Sequence, residues 1–322
     1  SGFEKLLYKY AIANQKIRGN LLLMALFEQN VLPQDAASYD ALARGDSHFA
    51  YTFLIDKIRK LQLTPAQFAL DPCNGSVVVT DVKTGKVRAL VSYPGFDNNR
   101  INDAAYLKKC NEDLSLPLLN GATQTQLAPG SSFKPISSIA SLEEKVLDLS
   151  TVIDCTGKYE EVTPNIRCWI WPSRHGNETL VDGIKNSCNY FFADLGHRLA
   201  TDAEGNYNAE LGMERIRKYA SDFGLNEKSG IELDEAEPRI SDYDPERSAM
   251  GQGNHAFNTA QLAKYITAVA NGGNLYNLSI VDKIADPKGK TVEEVGASLL
   301  RHLDYADSTW NAVHEGLRKV IT

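Results

Sequence analysis

Apolar residues follow two different spacings along the chain, and the change comes near residue 70. Before that point they recur at helical intervals, which predicts a mostly helical N-terminal segment over residues 1–70. The residues that carry this pattern are Leu6, Leu7, Tyr10, Ile17, the run from Leu21 to Phe27, Phe53, Leu54, Ile58 and Leu61. Asp71-Pro72-Cys73-Asn74-Gly75 is a group of turn-forming residues, so we place a boundary there and expect a second region over residues 71–322.

The second region begins with strand periodicity. Val77 to Asp81 and Val87 to Val91 are alternating runs on either side of Lys83-Thr84-Gly85, which predicts a β-hairpin. Later patterns predict helices from about Thr259 to Ala270 and from Ser308 to Val320. Strands on both sides of a long helical block predict an α+β fold, with an antiparallel sheet flanked by helices and a helical subdomain.

Composition excludes some classes of function. The net charge is −7 and there is no basic block, which argues against nucleic acid as a partner. The apolar run from Leu21 to Phe27 is far shorter than the ~20 residues that a membrane span needs. Because the chain starts at Ser1-Gly2 without an initiator Met or a signal peptide, we expect an upstream anchor to be absent from it.

Ser131 and Lys134 are the first candidates for chemistry. They lie in Pro129-Gly130-Ser131-Ser132-Phe133-Lys134-Pro135, where Pro-Gly and a capping serine predict the start of a helix. Residues three apart share a helix face, and the apolar positions that follow indicate a buried helix start that disfavours a charged amine. A neutral Lys134 would remove a proton from Ser131, which would then attack a carbonyl carbon. Taken alone, the motif also fits a capped helix with a snorkelling lysine.

A second motif favours the catalytic interpretation. Ser187-Cys188-Asn189 follows the first motif, and Ser-x-x-Lys followed by Ser-x-Asn is the order found in serine acyltransferases that react with penicillin. Over roughly residues 71–322 the chain resembles the transpeptidase domain of a class B penicillin-binding protein. Further stretches that carry the resemblance are Ser76 to Val91, Tyr93 to Asp97, Asn120, Ala122-Thr123, Gly251-Gln252-Gly253, Thr259 to Ala263 and Ala270 to Gly273.

The resemblance implies a β-lactamase/transpeptidase-like fold and peptidoglycan cross-linking by D,D-transpeptidation through a serine acyl-enzyme that β-lactams inhibit. It implies Ser131 as nucleophile, Lys134 as base, Ser187 as proton carrier and Asn189 as the residue that holds Lys134 and the substrate amide. Substrate would then contact Ser131 and Asn189. The expected partners are peptidoglycan peptide stems, β-lactam antibiotics and cell-wall synthesis proteins, with no cofactor. The expected location is the extracytoplasmic face of the bacterial cell membrane.

One family motif is not found in its usual place. Lys-Thr-Gly should follow both serines and complete the oxyanion hole, but Lys83-Thr84-Gly85 precedes them and is predicted to be a hairpin turn. Lys288-Gly289-Lys290-Thr291 is likewise predicted to be a turn between strands. We expect the chain to lack the C-terminal part that carries the motif, and genuine loss of the motif is the alternative.

The cysteines and histidines leave several alternatives open. Cys155 and Cys168 could form a disulfide outside the cytoplasm. Cys188 is expected to be a buried, inert thiol that points away from the site. No Cys-x-x-Cys or paired-His spacing exists, so no metal site is predicted, and the scattered histidines are expected to be structural.

Two other functions remain as hypotheses. The same fold could serve a β-lactam hydrolase or sensor, although no Glu-x-x-Leu-Asn run follows Ser187. It could also be a non-catalytic scaffold of the cell-wall machinery, which only the missing third motif supports. The sequence leaves open a septal or lateral wall role, the drug sensitivity and the role of residues 1–70.

Overall fold

A computed structural model describes residues 10–11, 16–63, 74–113 and 115–322. The chain divides into two compact units. The first takes in the described residues up to Asn74 together with Pro94–Leu118, and the second comprises Gly75–Tyr93 and Leu119–Thr322. Leu6 and Leu7 of the predicted helical pattern lie outside the described residues. The predicted division of the chain at residue 70 stays a prediction.

The first unit is helical, as predicted for the part of residues 1–70 that the structure describes. Its helices are α1 (Gly19–Glu28), α2 (Ala36–Ala43), α3 (Ser47–Arg59) and α4 (Ala104–Glu112), with a 3-10 turn at Asn98–Arg100. Aspartate side chains cap three of these helices, because Asp35, Asp46 and Asp103 accept hydrogen bonds from the first free N–H groups of α2, α3 and α4. The buried core of the unit consists of Leu23, Leu26, Phe27, Leu32, Leu42, Ala50 and Leu63.

One position of the predicted helical pattern differs in the structure. α3 ends at Arg59, so Leu61 lies beyond it, with a φ of 55° and an exposed side chain. The apolar spacing continued past the residue at which the helix ends, and spacing alone does not mark that end.

The second unit opens with the predicted hairpin. β1 (Gly75–Thr80) pairs antiparallel with β2 (Val87–Tyr93), and Lys83-Thr84-Gly85 lies in the turn between them, as predicted. Val78, Val87 and Leu90 point to one face, where they pack against a helix that includes Ala260 and Ala263. Thr80 Oγ1 also lies 2.6 Å from Thr267 Oγ1 of that helix.

Helices form most of the core of the second unit. They are α5 (Gly121–Gln124), α6 (Lys134–Glu143), α7 (Leu180–Lys185), α8 (Asn189–Leu199), α9 (Ala209–Asp222), α10 (Pro245–Ala249), α11 (Thr259–Ala270) and α12 (Asp307–Arg318). The predicted bounds of α11 are confirmed at both ends. α6 is buried from Lys134 to Ser141, and Phe191, Phe192 and Leu195 of α8 are buried in the same core.

The remaining strands are short and antiparallel. They are β3 (Ile153–Cys155), β4 (Lys158–Tyr159), β5 (Ile166–Arg167), β6 (Gly176–Glu178), β7 (Asn274–Asn277), β8 (Lys283–Ala285), β9 (Thr291–Glu294) and β10 (Ser298–His302). β3 pairs with β6, β4 with β5, β7 with β10, and β8 with β9. The sequence gives no signal for β3, β4 and β5, because strands of two or three residues are too short to show periodicity. Lys288-Gly289 lies in the turn between β8 and β9, as predicted.

Helices packed around antiparallel strand pairs confirm the predicted α+β class. Within the described residues, every helix is too short or too polar to cross a bilayer.

Candidate active site

The segment that carries Ser131 enters α6 through a 3-10 turn, Gly130–Phe133. Ser131 lies in this turn and is exposed, whereas the helix proper begins at Lys134 with Pro135 in its first turn, as expected. The predicted serine cap is absent: Phe133 is the N-cap residue, and it makes no side-chain capping bond. The Ser131 hydroxyl is therefore not used to cap the helix, which leaves it available for chemistry.

Contacts from distant parts of the second unit fix this turn. The Gly130 N–H donates to Gly251 O at 2.9 Å, and the Tyr265 hydroxyl donates to Ser132 O at 2.6 Å. A Cβ atom at Gly251 would lie 1.9 Å from Gly130 O, so only glycine fits there. In the sequence, Gly251-Gln252-Gly253 carries part of the family resemblance but gives no signal that it packs on the segment of Ser131.

The second motif lies at the junction between α7 and α8. The Ser187 N–H donates to Ile184 O and the Cys188 N–H donates to Gly183 O, both at 3.0 Å, so the turn closes the end of α7. Ser187 has a φ of 48°, a left-handed conformation that costs a residue with a Cβ about 1–2 kcal/mol. Cys188 then caps α8, because its Sγ accepts from the Phe191 N–H at 3.4 Å.

Lys134 joins the two motifs. Its side chain is buried, and its Nζ donates to Ser187 O at 2.8 Å, to Ser187 Oγ at 3.0 Å and to Asn189 Oδ1 at 2.9 Å. Burial lowers the pKa of the Lys134 amine to about 8, against an opposing effect of the nearby Cys188, Cys168 and Glu178. A fraction of the amine is therefore neutral near neutral pH, as a general base must be.

Ser187 links Lys134 to Ser131. The Ser187 hydroxyl donates to Ser131 Oγ at 2.9 Å, and among the described residues no hydrogen bond joins Lys134 to Ser131 directly. The sequence predicts that Lys134 acts on Ser131 itself, whereas the Ser187 hydroxyl lies between them in the structure. All four candidate residues thus lie in one hydrogen-bonded chain that can move a proton from Ser131 to Lys134.

A cluster of sulfur and nitrogen ligands lies behind the second motif. Cys155 Sγ and Cys168 Sγ lie 3.7 Å and 3.6 Å from His175 Nδ1, and Cys168 Sγ lies 3.8 Å from Cys188 Sγ. The ligand atoms of these residues all lie within 4.8 Å of one another. Cys155 and Cys168 are free thiols, so the disulfide considered from the sequence is not formed.

This cluster could hold a metal ion, which the sequence analysis did not predict. That prediction relied on the spacing within known metal motifs, but these residues come from separate segments that only the fold brings together. Cys155 ends β3, His175 precedes β6, Cys168 follows β5 and Cys188 caps α8. Cys188 is buried as expected, but its neighbours make it part of a possible site and not an isolated thiol.

Trp169 lies beside the Ser187 turn. Its Nε1 donates to Asn186 O at 2.9 Å, and its side chain is 65% exposed. The indole ring makes an edge contact with His175.

Comparisons with known proteins find related domains. A family model described as the penicillin-binding protein transpeptidase domain matches residues 75–322. Stage V sporulation protein D of Bacillus subtilis is 27% identical over 299 residues, which cover 90% of this chain and 43% of that protein. The peptidoglycan D,D-transpeptidase MrdA of Haemophilus influenzae is 28% identical over 280 residues, which cover 78% of this chain and 40% of that protein. The chain therefore spans less than half the length of these curated relatives.

Solved structures share the fold. Penicillin-binding protein A of Mycobacterium tuberculosis, in its imipenem acyl-enzyme complex, superposes with a TM-score of 0.67 at 22% identity, over 78% of this chain and 59% of that one. A structure from a peptidoglycan synthase complex superposes with a TM-score of 0.65 at 27% identity, over 77% of this chain and 42% of that one.

Proposed function

The chain belongs to the family of penicillin-binding protein transpeptidase domains, and from that premise we propose that it is a serine D,D-transpeptidase. Its substrates are the D-alanyl-D-alanine ends of peptidoglycan peptide stems, and its product is the cross-link between two stems. β-Lactams react at the same serine. The relatives that carry the name D,D-transpeptidase support this reaction class.

The hydrogen-bonded chain from Ser131 through Ser187 to Lys134 is the observation that carries the proposal. A serine hydroxyl is a weak nucleophile at neutral pH unless a positioned base removes its proton. Lys134 is the buried base, and its lowered pKa keeps part of it neutral. Asn189 Oδ1 accepts from Lys134 Nζ, which fixes the direction of the amine.

Acylation follows from this arrangement. Neutral Lys134 accepts the Ser187 hydroxyl proton while Ser187 accepts that of Ser131, and Ser131 Oγ forms a bond to the carbonyl carbon of the penultimate D-alanine. The carbonyl π electrons move to oxygen, which the Ser131 N–H can stabilise. When the C–N bond breaks, the proton returns from Lys134 through Ser187 to the leaving amine. The products are an ester on Ser131 and free D-alanine.

Transfer to the second stem reverses these steps. The amine of an acceptor stem attacks the ester carbonyl and passes a proton to neutral Lys134 through Ser187. Ser131 Oγ then leaves and regains its proton by the same route, so the base ends neutral. Ser131 and Asn189 are the residues that contact substrate.

Partners and location belong to the same proposal. We expect the protein to act at the extracytoplasmic face of the bacterial membrane, where peptidoglycan is built, together with other cell-wall synthesis proteins. The net charge of −7 and the lack of a basic block give no support to a nucleic-acid partner.

Intact-protein mass spectrometry after incubation with a penicillin tests the function. We expect a covalent adduct with the full mass of the antibiotic, because the opened β-lactam ring stays attached to the enzyme. Ser131→Ala should form none, whereas the matched control Ser132→Ala should be labelled like the unmodified protein. Ser132 is a suitable control because, among the residues that the structure describes, its side chain hydrogen-bonds to Pro129 O alone, and Tyr265 contacts its carbonyl.

The lifetime of the adduct separates the alternatives. A transpeptidase without acceptor stems keeps the adduct, whereas a β-lactam hydrolase loses it and consumes antibiotic in excess of enzyme. A non-catalytic scaffold forms no adduct, and that result would overturn the proposal for this chain.

A further inference from the structure

We propose that His255 is a positioning residue, whose buried ring joins the turn that carries Ser131 to the turn that carries Gly251. His255 is 3% exposed, so it acts on the reaction only through the two turns that it joins. Its effect on acylation rests on the function proposed above, whereas its support of the turns does not.

Both ring nitrogens of His255 have backbone partners. The Ser241 N–H donates to Nδ1 at 2.9 Å, so Nδ1 carries the lone pair and the proton of the neutral ring lies on Nε2. Nε2 lies 3.1 Å from Ser248 O and donates to it. The ring therefore joins the segment before α10 to α10 itself.

Ser248 O connects this ring to the contact that holds the nucleophile turn. It also accepts from the Gly251 N–H at 2.9 Å, so two donors use its two lone pairs. Gly251 O in turn accepts from the Gly130 N–H at 2.9 Å. A short path of hydrogen bonds thus leads from the His255 ring to the residue before Ser131.

A ring contact reaches the same turn at its other end. The ring centroids of His255 and Phe133 lie 4.5 Å apart, and Phe133 is the buried last residue of the 3-10 turn. Aromatic pairs of this kind contribute more than the area that they bury. The turn is therefore held at Gly130 by hydrogen bonds and at Phe133 by packing, with Ser131 between them.

The ring must be neutral to make both hydrogen bonds. Burial lowers the pKa of His255 to about 4, so the ring is uncharged near neutral pH. A second ring proton would lie on Nδ1 and would face the Ser241 N–H, so that two donors would meet. A buried neutral imidazole is thus suited to accept from one backbone group and donate to another.

Amide hydrogen exchange tests the support of the turn without any activity measurement. His255→Phe keeps a ring beside Phe133 but can bond to neither Ser241 N–H nor Ser248 O. We expect the Gly130 N–H to exchange about tenfold faster in this variant, because the loss of one or two hydrogen bonds changes a local opening equilibrium by about that factor.

His314→Phe is the matched control. His314 Nε2 lies 2.7 Å from Val269 O, and its ring centroid lies 6.0 Å from that of Trp310, so the substitution also removes a hydrogen bond to a backbone carbonyl and keeps a ring contact. Exchange at Gly130 should be unchanged in this control. The amides of α9 report on the stability of the whole unit in both variants.

Two results would overturn the support of the turn. One is unchanged exchange at Gly130 in folded His255→Phe, with circular dichroism to show that the variant is folded. The other is an equal increase at Gly130 and across α9, which would mean a general loss of stability. If His255→Phe does not fold, His255→Gln replaces it in the same comparison, since its amide can reach Ser248 O but leaves the Ser241 N–H unpaired.

The unmodified protein provides a test that needs no variant. NMR should detect the coupling that passes through the hydrogen bond between the Ser241 amide nitrogen and a histidine Nδ1. Absence of this coupling in the folded protein at neutral pH would overturn the bridge.

The effect on catalysis needs one further measurement on the same samples. The rate of penicillin acylation, measured well below the melting temperature of each variant, should fall about 100-fold in His255→Phe, because a displacement of about 1 Å has that effect on reacting groups. It should stay unchanged in His314→Phe. An unchanged rate in folded His255→Phe would overturn the positioning role. If the unmodified protein forms no adduct but exchange at Gly130 responds as expected, the proposed function fails while the support of the turn stands.

Discussion

At the scale of single residues, Lys134 shows how burial can prepare an amine to act as a base. Its amine has three acceptors, Ser187 O, Ser187 Oγ and Asn189 Oδ1, which match the three hydrogens of a protonated amine. Burial opposes that charge and lowers the pKa to about 8. The residue is therefore charged for much of the time but loses its proton readily near neutral pH, which suits a group that must accept a proton and return it.

The pH dependence of acylation tests this role. Neutral Lys134 is the active form, so the acylation rate should rise with pH and level off above about pH 8, its pKa. A base with the usual lysine pKa of about 10.4 would give a rate that still rises tenfold per pH unit at about pH 9. Stopped-flow measurements with a chromogenic cephalosporin give this profile. A rate that is flat across this range would contradict the assignment of Lys134.

Ser187→Ala tests the bridging hydroxyl. It removes the group that donates to Ser131 Oγ and accepts from Lys134, so the acylation rate should fall about 10²- to 10⁴-fold. The slow adduct that remains should still map to Ser131. Acylation at the original rate would mean that Lys134 acts on Ser131 directly, as the sequence analysis assumed.

At the scale of elements, the position of Ser131 depends on a close contact between two turns. The turn before α6 and the turn after α10 meet where Gly130 N donates to Gly251 O. Tyr265 of α11 fixes the same segment from another side through Ser132 O. The turn that carries Ser131, the proposed nucleophile, is therefore held through its backbone by the Gly251 carbonyl and the Tyr265 hydroxyl.

Gly251→Ala should displace the nucleophile. The added Cβ would meet Gly130 O at 1.9 Å, and the φ of 78° adds strain, so we expect a lower melting temperature and a large loss of acylation. Gly272→Ala is the matched control, because its φ of 75° is similar but no atom lies within 4 Å of the added Cβ. Thermal melts and penicillin labelling compare the two. Equal acylation by both variants would show that the contact does not position Ser131.

At the scale of the whole molecule, an ion pair between a buried lysine and a partly exposed glutamate links distant parts of the second unit. Lys264 of α11 is 1% exposed, and its Nζ lies 3.3 Å from Glu227 Oε1. Arg301 of β10 donates to the same carboxylate at 3.2 Å. Burial disfavours the charged form of Lys264 and lowers its pKa. The Glu227 carboxylate offsets part of the cost of burying this charge.

Glu227→Gln should therefore destabilise the fold. It removes the negative charge beside the Lys264 amine and keeps only a neutral amide oxygen as acceptor, so we expect a loss of about 1–3 kcal/mol in the free energy of unfolding. Glu237→Gln is the control, because its pair with Lys228 is exposed and should contribute less than about 1 kcal/mol. Urea unfolding of both variants measures the difference. Equal losses would contradict the role assigned to Glu227.

The sequence predicts some of these features and not others, for physical reasons. The candidate site residues could be predicted because each lies in a short local motif. The structure brings the two motifs together, with Ser131 and Lys134 from the first and Ser187 and Asn189 from the second. The β1–β2 hairpin and α11 have long regular patterns and were predicted for the same reason. Other features depend on contacts between residues far apart in the chain, and the periodicity of a sequence carries no information on such contacts. They are the hydrogen bond from Ser187 to Ser131, the contact of Gly251 with Gly130, and the cluster that contains Cys155 and His175.

The central claim is that Ser131 is the nucleophile, and peptide mapping of the penicillin adduct tests it most directly. We predict a single modified peptide with the mass shift on Ser131 and no label in Ser131→Ala. An adduct on Ser132, Ser187 or any other residue, or a label that survives Ser131→Ala, would contradict the account.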